Sequence, residues 1–82
     1  MYNIVVGPVS DKKLLAVLVW HSSSESACVR ALNAFDFVGP VRVQSRHARL
    51  DDAEQAEQEA NKQFLRIEAG IARLQQYATG RG

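Results

Sequence analysis

Side chains able to do nucleophilic or metal chemistry are few in this sequence and far apart. The candidates are one cysteine, Cys28, and two histidines, His21 and His47, for a thiol–imidazole pair or a metal site. They lack the close spacing of metal ligands, and a fourth ligand would have to come from an unrelated carboxylate. Cys28 also lies on the apolar side of a predicted helix, where a buried structural cysteine is the commoner role. We therefore expect no catalytic site, no metal and no cofactor.

Two other patterns associated with ligand binding have simpler explanations. Acidic residues crowd the stretch from Asp51 to Glu59, which is typical of a solvated helix N-terminus without any bound cation. Gly7 and Gly39 each stand alone before a proline, so the glycine-rich loop that cradles a phosphate is absent. Together with the lack of a nucleophile–base pair, this predicts that the protein is not an enzyme.

Basic residues are the more promising feature. Arg42, Gln44 and Arg46 alternate along a predicted strand and would share its outer face, and His47 and Arg49 follow directly. Such a stripe fits phosphates or an acidic protein surface, although an ordinary solvated face explains it equally well. The formal net charge is only +1, which weakens a nucleic-acid interpretation. No aromatic residue interleaves with the arginines, so a stacking platform for single strands is disfavoured.

Size and composition indicate one small folded unit. With 82 residues, the chain is near the lower limit for burying an adequate core, and its 46% hydrophobic content is ordinary for a globular protein. A single cysteine cannot form an internal disulfide, and the start of the chain lacks the pattern of a signal peptide. The longest apolar run is too short to span a bilayer. These features predict a cytoplasmic protein.

That apolar run, Leu14–Trp20, is expected to form the central strand of a sheet with both faces covered. Its even-numbered residues would point to one face and its odd-numbered residues to the other. Trp20 is assigned to the core, with an exposed binding anchor as the alternative.

A shorter segment, Tyr2–Val6, is predicted to pair antiparallel with this strand and to end at Gly7-Pro8. It also suits strand addition to the sheet of a partner. The tetrapeptide Val-Gly-Pro-Val occurs at 6–9 and again at 38–41, which is better explained by two similar strand ends than by an internal repeat. A third strand is predicted over Val41–Arg46, with Val41, Val43 and Ser45 facing inward.

Two helices are predicted. The first begins within Ser22–Glu25, where Ser22 and Glu25 fit a capping box and Ser23 or Ser24 are alternative caps, and it ends around Asn33–Asp36. Its apolar stripe is Ala27, Cys28, Ala31, Leu32 and Phe35.

The second helix runs from the N-cap Asp51 to about Ala78, with a bend or break plausible at Gly70 and an end at Thr79-Gly80. Its apolar seam, which would also serve a homodimer, is Ala53, Ala56, Ala60, Phe64, Ile67, Ile71, Leu74 and Ala78.

The resulting fold class is α+β, with a small antiparallel sheet of three strands in the chain order β-β-α-β-α. Residues 1–50 form a ββαβ core domain, and residues 51–82 form a long C-terminal helix that packs partly on the sheet. Three functions fit this order: a protein-binding regulator, a nucleic-acid-binding module using Arg42, Arg46 and Arg49, and a homodimer built on the helical seam. The residues expected to bind a partner are Tyr2, Ile4, Val6, Arg42, Gln44, Arg46, His47 and Arg49.

In size, element order and two stretches, Tyr2–Val9 and Phe37–Val43, the chain resembles small bacteriophage-encoded regulators that bind host RNA polymerase. The resemblance implies contacts near the RNA exit region, and inhibition of transcription initiation or promotion of antitermination, without bond-making chemistry. Phage-type inhibitors of other host complexes share the same general character. The resemblance assigns no contact residue.

Overall fold

In a computed structural model, the protein is an α+β fold with a helix on each face of a three-stranded antiparallel sheet. The structure describes residues 1–64. Over that range the elements follow the predicted order β-β-α-β-α. They are β1 (Tyr2–Ser10), β2 (Lys13–Trp20), α1 (Ser24–Ala34), β3 (Arg42–His47) and α2, whose described part covers residues 50–64.

The strand order is β2-β1-β3, so the centre of the sheet is β1. The predicted antiparallel hairpin of β1 and β2 is confirmed, with a turn at Asp11-Lys12. The prediction that Leu14–Trp20 lies at the centre is wrong, because β3 pairs with β1 and leaves β2 at an edge. For the same reason Tyr2–Val6 is not available for strand addition, since its backbone pairs on both sides.

Both faces of β2 are covered, as predicted from its unbroken apolar run. On one face, Ala16 packs with Ile4 and Val6 of β1 and with three residues of α2: Ala53, Ala60 and Phe64. On the other face, Val17 and Val19 pack with Val5 of β1 and with two alanines of α1: Ala27 and Ala31. Small alanine side chains let each helix approach the sheet closely, which is how so short a chain builds three layers.

A β-bulge in β3 changes which face its side chains share. Ile4 pairs with Ser45, but the next residue of β1, Val5, pairs with Val43, so Gln44 is an extra residue in the ladder. Exposure alternates along β3 as predicted, but the bulge moves the residues after Gln44 to the opposite face. The predicted inward row of Val41, Val43 and Ser45 is therefore divided between the two faces.

Ser23, not Ser22, caps α1: its side chain accepts a hydrogen bond from the Ser26 amide at 3.1 Å. The prediction that Ser22 caps the helix in a capping box with Glu25 is therefore wrong by one residue. The observed cap, Ser23, is one of the two alternatives that the sequence offered. The helix ends at Ala34 as expected, but Leu32 and Phe35 are 48% and 38% exposed. They leave the predicted stripe because only the two buried alanines and Cys28 fit against the sheet.

The cap gives a direct test of this helix start. Replacing Ser23 by alanine should lower the free energy of unfolding by about 1 kcal/mol, because the Ser26 amide loses its partner. Ser22→Ala is the matched control and should change it by less than about 0.5 kcal/mol. Urea unfolding followed by circular dichroism measures both, and an equal loss for the two variants would contradict the assignment of the cap.

The two Gly-Pro pairs contact each other, since a Cβ atom on Gly39 would lie 2.8 Å from Cγ of Pro8. Gly39-Pro40 lies just before β3, as predicted for a strand end, but Gly7-Pro8 does not end β1. β1 continues through Gly7-Pro8 to Ser10, because Pro8 pairs only with Leu14 of β2 and lies beyond the end of β3. The carbonyl of Pro8 accepts a hydrogen bond from the backbone amide of Val38 at 2.9 Å. The loop after α1 thereby folds onto the end of β1, and the repeated tetrapeptide marks two segments in contact.

α2 begins at residue 50, one residue before the expected N-cap Asp51, and its first turn is closed by a hydrogen bond from the Ala53 amide to the Arg49 carbonyl. The described part of the predicted seam packs on the sheet: Ala53, Ala60 and Phe64 are buried. The rest of the seam, Ile67, Ile71, Leu74 and Ala78, lies outside the described residues. The predicted bend at Gly70 and the helix end at Thr79-Gly80 lie there too.

Candidate functional site

The best candidate for a binding site is the end of the sheet where β1 begins. Tyr2 of β1 is directly opposite Trp20 of β2 on one side and His47 of β3 on the other. Because residues opposite each other in an antiparallel ladder share a face, three aromatic side chains form a row across the sheet. Met1 adjoins the row, since its carbonyl accepts a hydrogen bond from the His21 amide at 3.0 Å. These four residues, Met1, Tyr2, Trp20 and His47, are called the aromatic end.

Trp20 is the most exposed aromatic group of this end. Its exposed fraction is 61%, and that of Met1 is 48%, so the prediction that Trp20 lies in the core is wrong. The reason is its position as the last residue of an edge strand, where neither neighbouring β1 nor α2 encloses the ring. Tyr2 and His47 are half-buried. An exposed tryptophan beside a methionine and a tyrosine has the composition of a protein-binding hot spot.

Beneath the aromatic end lies a buried polar residue, Asn3. Its side chain is fully buried, and its amide nitrogen donates to the carbonyls of Met1 at 3.1 Å, His21 at 3.3 Å and Val19 at 3.4 Å. Its amide oxygen accepts a hydrogen bond from Nε of Arg46 at 2.9 Å. All polar atoms of Asn3 thus have partners, and the side chain fixes the ends of β1, β2 and β3 together.

Arg46 is therefore a structural residue as well as a surface charge. Besides the bond to Asn3, its Nη2 donates to the Ser22 carbonyl at 2.9 Å, which ties β3 to the segment that leads into α1. Arg42 is opposite Val6, whereas Arg46 is opposite Asn3, and these two residues of β1 point to different faces. The prediction that Arg42, Gln44 and Arg46 share one face is wrong, because the bulge at Gln44 separates them.

The remaining predicted binding residues fall into two groups. Ile4 and Val6 are buried core residues, so neither is able to touch a partner. Arg42, Gln44 and Arg49 are exposed, and Arg49 forms an exposed ion pair of 3.3 Å with Asp51. Tyr2 and His47 are the predicted residues that share a face of the sheet, whereas Arg46 lies on the opposite face beside Asn3.

His47 forms the one nucleophile–base contact that residues 1–64 contain. Its Nε2 lies 2.8 Å from the Ser45 hydroxyl, two residues before it on the same strand. In the part of the chain that the structure describes, no carboxylate bonds the other ring nitrogen, so nothing orients the imidazole as catalysis requires. Cys28 is a half-buried free thiol packed against the core. Its contacts fit a structural role.

An open cleft of about 420 Å³ lies along α1, and none of the residues of the aromatic end lines it. His21 lines it together with Glu25, Val29 and Arg30, so it offers both signs of charge around an apolar wall. Among residues 1–64 no group of three or more His, Cys, Asp or Glu side chains is placed to hold a metal ion. Neither helix, over that same range, has the length and apolar character that crossing a membrane requires.

Sequence reasoning missed Asn3 and undervalued Trp20. Asn3 interrupts an otherwise apolar strand, and a polar residue at such a position is the signal of a buried hydrogen-bond network. Trp20 is the last apolar residue before His21 and the serines, a position that favours exposure at a strand end.

No protein-family model matches the sequence, and no curated protein or solved structure shows significant similarity to it.

Proposed function

We propose that this protein is a non-enzymatic, protein-binding regulator that docks through the aromatic end, with Trp20 as the anchor. The observation that carries the proposal is the 61% exposure of a tryptophan held on a sheet end by a buried hydrogen-bond network. Tryptophan, tyrosine and arginine dominate the binding energy of protein interfaces, and a rigid support reduces the entropy lost on binding.

Bacterial RNA polymerase is the partner that we propose, because the chain resembles phage-encoded regulators of that enzyme. Binding would hold the polymerase in one state, inhibiting initiation or promoting antitermination. An inhibitor of another host complex is the alternative within the same class. The nucleic-acid module has less support, since Arg42 and Arg46 lie on opposite faces and the net charge is +1.

Replacing Trp20 by alanine should weaken polymerase binding by about 30-fold, the effect of losing a hot spot worth about 2 kcal/mol. Folding should survive, because most of the side chain is already in water. The affinity is measured as the binding of purified bacterial RNA polymerase to the immobilised protein, with and without nuclease treatment. Val38→Ala is the matched control, since Val38 is an apolar residue that is 68% exposed elsewhere on the molecule.

Three results would count against parts of this proposal. Equal affinity of the Trp20→Ala and Val38→Ala variants would remove the aromatic end as the binding site. No binding to polymerases from several bacterial lineages would overturn the choice of partner. Binding that disappears after nuclease treatment would favour the nucleic-acid module.

A further inference from the structure

The outer edge of β2 is closed by two side chains of α2 instead of by a strand. Asn61 uses both halves of its amide: Oδ1 accepts from the Ala16 amide at 2.9 Å, and Nδ2 donates to the Ala16 carbonyl at 3.1 Å. Glu57 accepts a hydrogen bond from the Leu18 amide through Oε2. A neighbouring antiparallel strand would bond these same backbone groups. Asn61 thus takes the place of a strand residue.

β2 is the strand of this sheet that an open edge would make most prone to pairing. Residues 14–20 are all apolar and carry no charge. Leu14 and Trp20, at its two ends, are 39% and 61% exposed. The opposite edge strand, β3, is short, bulged and rich in arginine, which are features that keep an edge from pairing. Between Leu14 and Trp20, β2 has none of these features, so the protection of this edge depends on α2.

We propose that β2 is a latent self-association site, where β2 of a second copy pairs antiparallel once Glu57 and Asn61 leave the edge. The backbone groups that point outward belong to Ala16 and Leu18. Pairing about a twofold axis at Val17 sets Ala16 opposite Leu18 of the second copy, so that the groups now bonded by α2 bond each other. The product is a continuous sheet of two copies.

The same register explains why the occupant is a second copy. It places Leu14 opposite Trp20 of the other chain, so the two exposed apolar ends of β2 cover each other. It also places Lys13 opposite His21, and therefore brings no two lysines face to face. The sequence of β2 is thus compatible with itself in this register, which is one of those that its outward backbone groups allow and the one that covers both exposed ends.

Replacing Glu57 and Asn61 together by alanine tests the proposal, because alanine keeps the helix and removes both edge contacts. The dimer dissociation constant, measured by sedimentation velocity, should fall by about tenfold or more relative to the wild type. Glu54→Ala with Gln58→Ala is the matched control: an acid and an amide with the same spacing on the same helix, both exposed. The control should sediment like the wild type.

A folded double variant that sediments like the wild type would overturn the proposal, and so would equal association of the control. Circular dichroism establishes folding. If the double variant does not fold, Asn61→Ala alone is used, because it opens the edge at Ala16. Its dimer dissociation constant must then also be lower than that of the wild type.

Cross-linking tests the register. In the edge-opened variant with Cys28→Ser, chains carrying Leu14→Cys are mixed with chains carrying Trp20→Cys and oxidised. Opposed residues of a hydrogen-bonded pair have Cα atoms about 5.5 Å apart, within reach of a disulfide. The disulfide between Cys at 14 and Cys at 20 should dominate over both like-with-like products. Predominance of either like-with-like product would overturn the proposed pairing.

Discussion

Replacing Gly7 by valine will destabilise the protein through overpacking, by about 1–3 kcal/mol. A Cβ atom at this position would lie 2.5 Å from Cγ1 of Val41 and 2.7 Å from Cδ1 of Phe37. The glycine is required for space and not for backbone freedom, since none of the described glycines has a positive φ. The loop after α1 would have to move away, with loss of the bond between Val38 and Pro8.

Thermal unfolding measures this effect, because 1 kcal/mol shifts Tm by about 4–8 °C in a domain of this size. Gly7→Ala should cause a smaller loss of the same kind. Gly39→Ala tests the same contact from the loop side, since its Cβ would meet Cγ of Pro8 at 2.8 Å and it too should lower Tm. A Gly7→Val variant as stable as the wild type would show that the loop does not pack on β1 as described.

Replacing Asn3 by leucine is expected to cost about 2–3 kcal/mol of unfolding free energy, although leucine is apolar and the site is buried. The loss arises because Nε of Arg46 is left without its acceptor and the Met1, Val19 and His21 carbonyls lose a shared donor. Urea unfolding measures the loss. Gln44→Leu, the same amide-to-apolar change at the exposed bulge, should cost less than about 0.5 kcal/mol.

A double-mutant cycle of Asn3→Leu with Arg46→Ala isolates the bond between the two side chains. The double variant should be less destabilised than the sum of the single variants, because each change removes the same contact. Additive losses would contradict a direct interaction. Because Arg46 bonds Asn3 and the Ser22 carbonyl, a substitution at Arg46 lowers stability and does not test binding alone.

Local sequence patterns determined which segments of this chain form strands and helices. The apolar run of β2, the serines before α1 and the alternation of β3 are local patterns, and each predicts its element because periodicity and capping act over a few residues. The covering of both faces of β2 also followed from its seven successive apolar residues. The α+β class was therefore predictable before any contact was known.

Tertiary structure alone decided the strand order, the faces of β3 and the exposure of Trp20. Whether β3 adds beside β1 or β2 depends on contacts between segments about 40 residues apart, on which local propensity has no bearing. A bulge of one residue at Gln44 reverses the facing of Arg46, and no pattern within β3 marks that position. The edge contacts of Glu57 and Asn61 likewise join residues 39 and 45 positions apart. Such long-range pairings decide which groups reach a partner, and so the candidate site emerged only from the folded chain.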